Sequence, residues 1–125
     1  NLINETRSEM IEIRINDVLK EIVNVFPEVA DLEGHDNLPL PFAVYKVKRF
    51  GSKTKEVNRS GVYSVNVLSV CGEYDESLKL ENKISEAMLS LQDSRTNASF
   101  LDSSREFDDD DRAWVTEMNF EIKVY

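Results

Sequence analysis

Few residues in this chain have the type and spacing that chemistry requires. His35 is the only histidine, and it lies in a stretch marked by Gly34, Asn37 and Pro39. An imidazole there can act as a general base, but no Ser or Cys nucleophile motif accompanies it, and it reads as a solvated loop residue. Cys71 is the only cysteine, so neither an internal disulfide nor a cysteine metal site is available. At the end of a strand-like run it reads as a small, half-buried apolar residue. Asp108, Asp109, Asp110 and Asp111 invite a calcium or magnesium reading. Calcium loops need oxygens at alternating positions, a turn glycine and a distal bidentate carboxylate. This segment has no glycine and the wrong spacing, so it reads as a solvated acidic turn. Gly51, Gly61 and Gly72 form no phosphate-cradling pattern. The expectation is therefore no catalytic residues, no cofactor, no metal and no enzymatic activity.

Charge is more informative. The net charge is −9, which argues against specific nucleic-acid binding through an overall cationic field. Its distribution is uneven. Residues 46–59 carry Lys46, Lys48, Arg49, Lys53, Lys55 and Arg59 against only Glu56. Residues 102–112 carry Asp102, Glu106 and Asp108 to Asp111 against Arg105 and Arg112. The basic stretch has no helix to enter a groove and only Tyr45 and Phe50 nearby for stacking, which favours an acidic protein partner over a nucleic acid. A plain flexible hairpin stands beside that reading. Lys46, Lys48, Arg49, Lys53, Lys55, Arg59 and Asp108 to Asp111 are the candidate interface residues.

These segments need elements to hold them. The last stretch, Trp114 to Tyr125, alternates: Trp114, Thr116, Met118, Phe120, Ile122 and Val124 share one face, while Val115, Glu117, Asn119, Glu121 and Lys123 share the other. That is a strand buried on one side, as in an antiparallel sheet. Glu9 to Phe26 predicts a helix with Ile11, Ile15, Val18, Leu19, Ile22 and Val23 as its apolar stripe, capped by Ser8 or Thr6 and stopped by Pro27. Phe42 to Arg49 and Gly61 to Cys71 predict strands joined by a long polar connection. Ser64, Asn66 and Ser69 interrupt the apolar run of the second, so part of its other face is expected to be covered or to meet a neighbouring subunit. Asp75 predicts the cap of a second helix, Glu76 to Leu91 or Gln92, with Leu80, Ile84, Ala87, Met88 and Leu91 inward. Phe100 to Phe107 predicts a short strand.

With 125 residues, 41% hydrophobic and 31% charged, the chain suits one globular domain, residues 1–125, with 1–9 as an extension ahead of it. No apolar run approaches the ~20 residues of a membrane span, and the start lacks signal-peptide patterning. The single cysteine suggests a reducing compartment. Asn58-Arg59-Ser60 and Asn97-Ala98-Ser99 match the glycosylation tripeptide but carry little weight without a secretion signal. The expected fold is α+β, in the order α-β-β-α-β-β. A four-stranded antiparallel sheet would carry both helices on one face.

A helix over Ile11–Val25, then Leu38-Pro39-Leu40-Pro41-Phe42-Ala43-Val44-Tyr45, the long polar stretch after it, Gly61-Val62-Tyr63-Ser64-Val65-Asn66-Val67, the helix from Asp75 and the ending Phe100 to Ile122 together resemble the tail terminator (tail completion, minor tail) proteins of long-tailed bacteriophages and prophages. The resemblance covers most of residues 10–125 and is carried by element order and hydrophobic spacing. It implies a structural protein of the virion tail, assembled in the bacterial host cytoplasm. It also implies a homo-oligomer, typically a hexameric ring, that caps the tail tube protein, ends tube growth and offers a face to a head-completion or neck protein. No membrane association is expected. Two other readings stand beside it: a head–tail joining protein, and a ferredoxin-like module that binds a small regulatory ligand.

Overall fold

A computed structural model describes residues 2–27, 39–50 and 61–125, with side chains from residue 11 onward. The described elements are α1 (Leu2–Lys20), β1 (Asn24–Pro27), β2 (Phe42–Phe50), β3 (Gly61–Cys71), α2 (Tyr74–Leu89), β4 (Thr96–Asp108) and β5 (Ala113–Val124). The fold is α+β, and the strands form one five-stranded sheet in the order β1-β2-β3-β5-β4.

Three pairings are antiparallel, β2 with β3, β3 with β5 and β4 with β5. The expected four-stranded antiparallel sheet is corrected by β1, which pairs parallel to β2 from Asn24↔Phe42 to Pro27↔Tyr45. The first helix accordingly ends at Lys20, not Phe26, and begins at Leu2, inside the supposed extension. Ile22, Val23, Val25 and Phe26 suit a helical stripe and a strand equally well by spacing. Their β-branched and aromatic side chains favour the strand, and the edge of β2 satisfies the extended backbone. Ile22 N–H and Val23 N–H donate to Leu19 O at 2.9 and 3.1 Å, closing the last turn of α1.

The core is the face that period-two reading assigned to β5. Met118, Phe120 and Ile122 stand opposite Val67, Val65 and Tyr63 of β3. Ala43 and Tyr45 of β2 continue the layer. Ile11, Ile15 and Leu19 of α1 and Leu80, Ile84 and Met88 of α2 close it at helical spacing, so both helices lie on one face of the sheet. Burying a side chain the size of Phe120 contributes roughly 1.5–3 kcal/mol.

α2 starts one turn-step earlier than expected. Its N-cap is Glu73, in extended conformation and without a side-chain cap hydrogen bond, while Asp75 and Glu76 sit in the first turn beside the positive end of the helix dipole. Ser77 Oγ donates to Tyr74 O at 2.6 Å. β4 is the larger departure: a 13-residue strand replaces the short one expected from Phe100 to Phe107. Asp93 and Thr96 exchange backbone hydrogen bonds at its start, Arg95 N–H donates to Asp93 Oδ1 at 2.8 Å, and a bulge at Leu101 shifts its register against β5.

Candidate interaction surface

Beyond the core, apolar side chains gather along one border of the molecule. Tyr74, Leu78 and Leu89 on α2 and Phe100, Leu101 and Phe107 on β4 are all exposed. β4 is an end strand of the sheet and presents this band beside the flank of α2. Aromatic edges order its upper end. Trp114 lies between Tyr74 (4.9 Å, 65°) and Phe107 (5.3 Å, 64°), in T-shaped contacts. Phe100 stands edge-on to the buried Phe120 at 5.6 Å.

A polar clamp fixes β4 to α2. Arg105 pairs with Glu81, donates from Nε to Thr116 Oγ1 at 3.2 Å and lies over the Tyr74 ring at 5.8 Å. Ser103 Oγ donates to Glu81 Oε2 at 2.8 Å. The one cation of the strand is thereby committed inside its own subunit. On the opposite face of the sheet, Asn66 Nδ2 donates to Glu117 Oε2 (2.7 Å) and Asn119 Oδ1 (2.9 Å), and Asn119 Nδ2 donates to Asp102 Oδ1 (2.7 Å). That ladder runs across β3, β5 and β4.

Among the described residues, Phe50 of the basic segment and Asp108 of the acidic one lie at opposite ends of the sheet. Lys46, Lys48 and Arg49 occupy the end of β2 near Phe50, which pairs with Val62, itself opposite Lys123 at the far end of β5. Asp108 pairs with Ala113 at the start of β5. The strand length between the two ends, 11 residues in β3, spans about 34 Å at ~3.4 Å per residue. The three steps from β2 to β4 add roughly 14 Å sideways at ~4.8 Å per strand. Phe50 and Asp108 are therefore far apart, whereas Asp102 stands in the same cross-strand row as Lys46, through Asn119 and Asn66. At the basic end, Lys48 Nζ lies 5.2 Å from the Phe50 ring centre and the Arg49 guanidinium 5.9 Å from that of Tyr63. Gly61 leaves room for Arg49; a Cβ there would stand 3.2 Å from its Nε. Lys53, Lys55 and Arg59 lie outside the described residues, as does His35.

Asp108 Oδ1 accepts from the backbone N–H of Asp110 (2.9 Å) and Asp111 (3.4 Å), and Arg112 takes a left-handed φ of 52°. The aspartate run thus forms a side-chain-capped turn. Among the described residues no group of His, Cys, Asp or Glu is placed to hold a metal ion. Cys71 is fully buried and its thiol donates to Glu73 O at 3.6 Å. Burial, and after it the Glu76 carboxylate, pushes the thiol up from its ordinary value, which disfavours the reactive thiolate. An open cleft of about 620 Å³ lies beside it, lined by Leu40, Pro41, Gly72, Glu73, Asp75, Glu76 and Lys79. No described helix is long and apolar enough to cross a membrane.

Sequence reasoning missed the exposed band. The signal was there in two places. Leu78 and Leu89 fall off the buried 80-84-88 stripe of α2, and the adjacent Phe100-Leu101 pair breaks alternation in β4. No known family model matches this chain, and no curated protein is significantly similar to it.

Proposed function

We propose that this chain is a structural protein of a phage or prophage tail, acting as a tail terminator. In this reading, copies close into a ring, hexameric in the family it resembles, on the end of the tail tube. The ring ends tube growth and presents a face to a head-completion or neck protein in the virion. It works by contact between subunits and with the tube, without catalysis or cofactor.

The observation that carries the reading is the exposed apolar border beside the acidic outer strand β4, with the basic stretch of β2 three strands away across the sheet. Different surfaces on one chain can meet between copies in a head-to-tail contact, and such contacts close into rings when the rotation permits. The net charge of −9 suits a ring through which DNA passes without a cationic holdfast.

Imaging of tails assembled with and without the protein tests this. Uncontrolled tail lengths, or tails unable to join heads, are expected in its absence. Tails of normal length that still join heads would remove the reading. A small-ligand regulatory module is the second reading, supported by the cleft beside Gly72. A ligand that raises the melting temperature of the wild-type chain but not of Lys79→Glu would favour it.

A further inference from the structure

We infer that the outer flank of α2, a stripe of Tyr74, Leu78, Ser85 and Leu89 with Asn82 beside it, is the docking surface for a second copy of this chain. The two α2 helices pack antiparallel across a two-fold axis. The inference goes beyond the proposed ring: head-to-tail closure needs no two-fold contact, so each can fail without the other.

α2 carries two stripes at helical spacing. Ser77, Leu80, Ile84 and Met88 are buried on the core. Tyr74, Leu78, Ser85 and Leu89 return to a second face, and the three large ones are exposed. This face lies on the β4 side. Tyr74 meets Trp114 and Arg105, and Glu81, between Leu78 and Ser85, pairs with Arg105 and accepts from Ser103. Beneath it, Phe100 and Phe107 stand on the helix-facing side of β4, opposite Phe120 and Trp114, and are exposed. Among the described residues the helix layer holds only α1 and α2, so the corner above β4 is open. A single exposed apolar residue needs no explanation; a stripe along a helix above two exposed phenylalanines does.

Charge and register select a second copy. α2 carries six charged residues, Asp75, Glu76, Lys79, Glu81, Lys83 and Glu86, and none falls on the stripe. Glu81, the nearest, has both oxygens engaged by Arg105 and Ser103. Asp102, Glu106 and Asp108 alternate with Ser103, Arg105 and Phe107 and so point to the other face of the sheet. Two chains of net charge −9 can therefore meet along this stripe without opposing like charges there. A cationic partner is drawn to the carboxylate face instead. The stripe also reads the same in both directions about the Glu81–Asn82 step: Tyr74 and Leu89 stand equally far from it, as do Leu78 and Ser85. An antiparallel pair centred there sets Tyr74 of one copy against Leu89 of the other and Leu78 against the small Ser85, each contact occurring twice. Asn82, exposed next to the axis, has an amide donor and a carbonyl acceptor and so can bond its own copy. The second copy's α2 takes the open place above β4 and covers Phe100 and Phe107.

Cysteine cross-linking tests this, since native Cys71 is buried. Under mild oxidation Asn82→Cys should form a disulfide-linked dimer in a yield at least about 10-fold above that of Lys83→Cys, the exposed neighbour that lies off the stripe. Leu78→Cys mixed with Ser85→Cys should give more mixed dimer than either gives alone, because Leu78 and its own copy stand roughly 10 Å apart along the helices at ~1.5 Å per residue. Sedimentation of the unmodified chain is the second measurement. Dimerisation should strengthen as salt screens the net charge, and Leu78→Glu, which forces a charge into the contact, should weaken it at least about 10-fold. Equal yields from positions 82 and 83, mixed dimer no more abundant than the homodimers, or association that weakens with salt overturns the inference. A chain that stays monomeric and uncross-linked at millimolar concentration also overturns it and leaves the stripe to a different protein.

Discussion

β3 and β4 both pair with β5 along nearly its whole length, yet they have different fates. Every second residue of β3 from Tyr63 to Cys71 is buried, whereas β4 buries only Thr96 and Ala98. The clearest contrast is between two phenylalanines in register. Phe120 on β5 is fully buried, while its β4 partner Phe100 is 42% exposed. Backbone pairing and burial are thus separate properties of a strand. β3 is closed by the helices above it and by strands on both sides. Among the described residues β4 is hydrogen-bonded into the sheet on one side only, and its side chains run past the cover that α2 provides. The apolar character that β3 uses for its own core, β4 leaves for something else.

Substitutions can break this contrast or sharpen it. Phe120→Ala should have the largest effect, lowering unfolding free energy by about 3–5 kcal/mol in denaturant titration, as for other large-to-small changes in a closed core. Phe100→Ala serves as its internal comparison; an equal loss there would mean that β4 belongs to the core after all. Next, Glu81→Ala leaves Arg105 without its carboxylate in a largely buried position, and a loss of about 1–2 kcal/mol is expected. The same clamp holds Ser103, so amide exchange in β4 should accelerate while β3 stays protected.

Ser69→Ala goes the other way. Its hydroxyl is buried on the helix-facing side of β3 with no hydrogen-bond partner among the described residues, so removing it should leave stability unchanged or raise it by about 1 kcal/mol. Leu101→Ser should change the stability of the isolated chain by less than about 0.5 kcal/mol, being exposed, yet weaken self-association measured by sedimentation. The smallest effect concerns the start of β4. The Arg95 N–H, with Arg14 and Thr96 assisting against some burial, holds the Asp93 carboxyl below its ordinary value. A depressed folded value stabilises above the unfolded pKa and is lost as pH falls through the folded one. A carboxyl NMR titration should show Asp93 titrating below the usual range, and Arg95→Pro, which removes the donor, should move it upward.

The central strands and both helical stripes were legible in the sequence because burial there follows a clean period. β3 was read end to end, and Met118, Phe120 and Ile122 fell on the core face as alternation required. β1 was not legible, since Ile22, Val23, Val25 and Phe26 satisfy both periods and only the edge of β2 decides between them. The polar half of β4 was also hidden. Thr96, Asn97 and Ser99 read as turn residues, and their extended state follows from pairing with β5, a long-range fact. The charged segments were found as composition, but how many strands separate them depends on strand order, which local sequence does not encode.

The proposed function requires that copies of this chain bind one another. Amide hydrogen exchange in dilute and concentrated protein tests it most directly. Protection should rise with concentration in exposed segments such as residues 101–107, while β3 exchanges at the same slow rate throughout. Exchange that stays the same at every concentration in all exposed segments would contradict it.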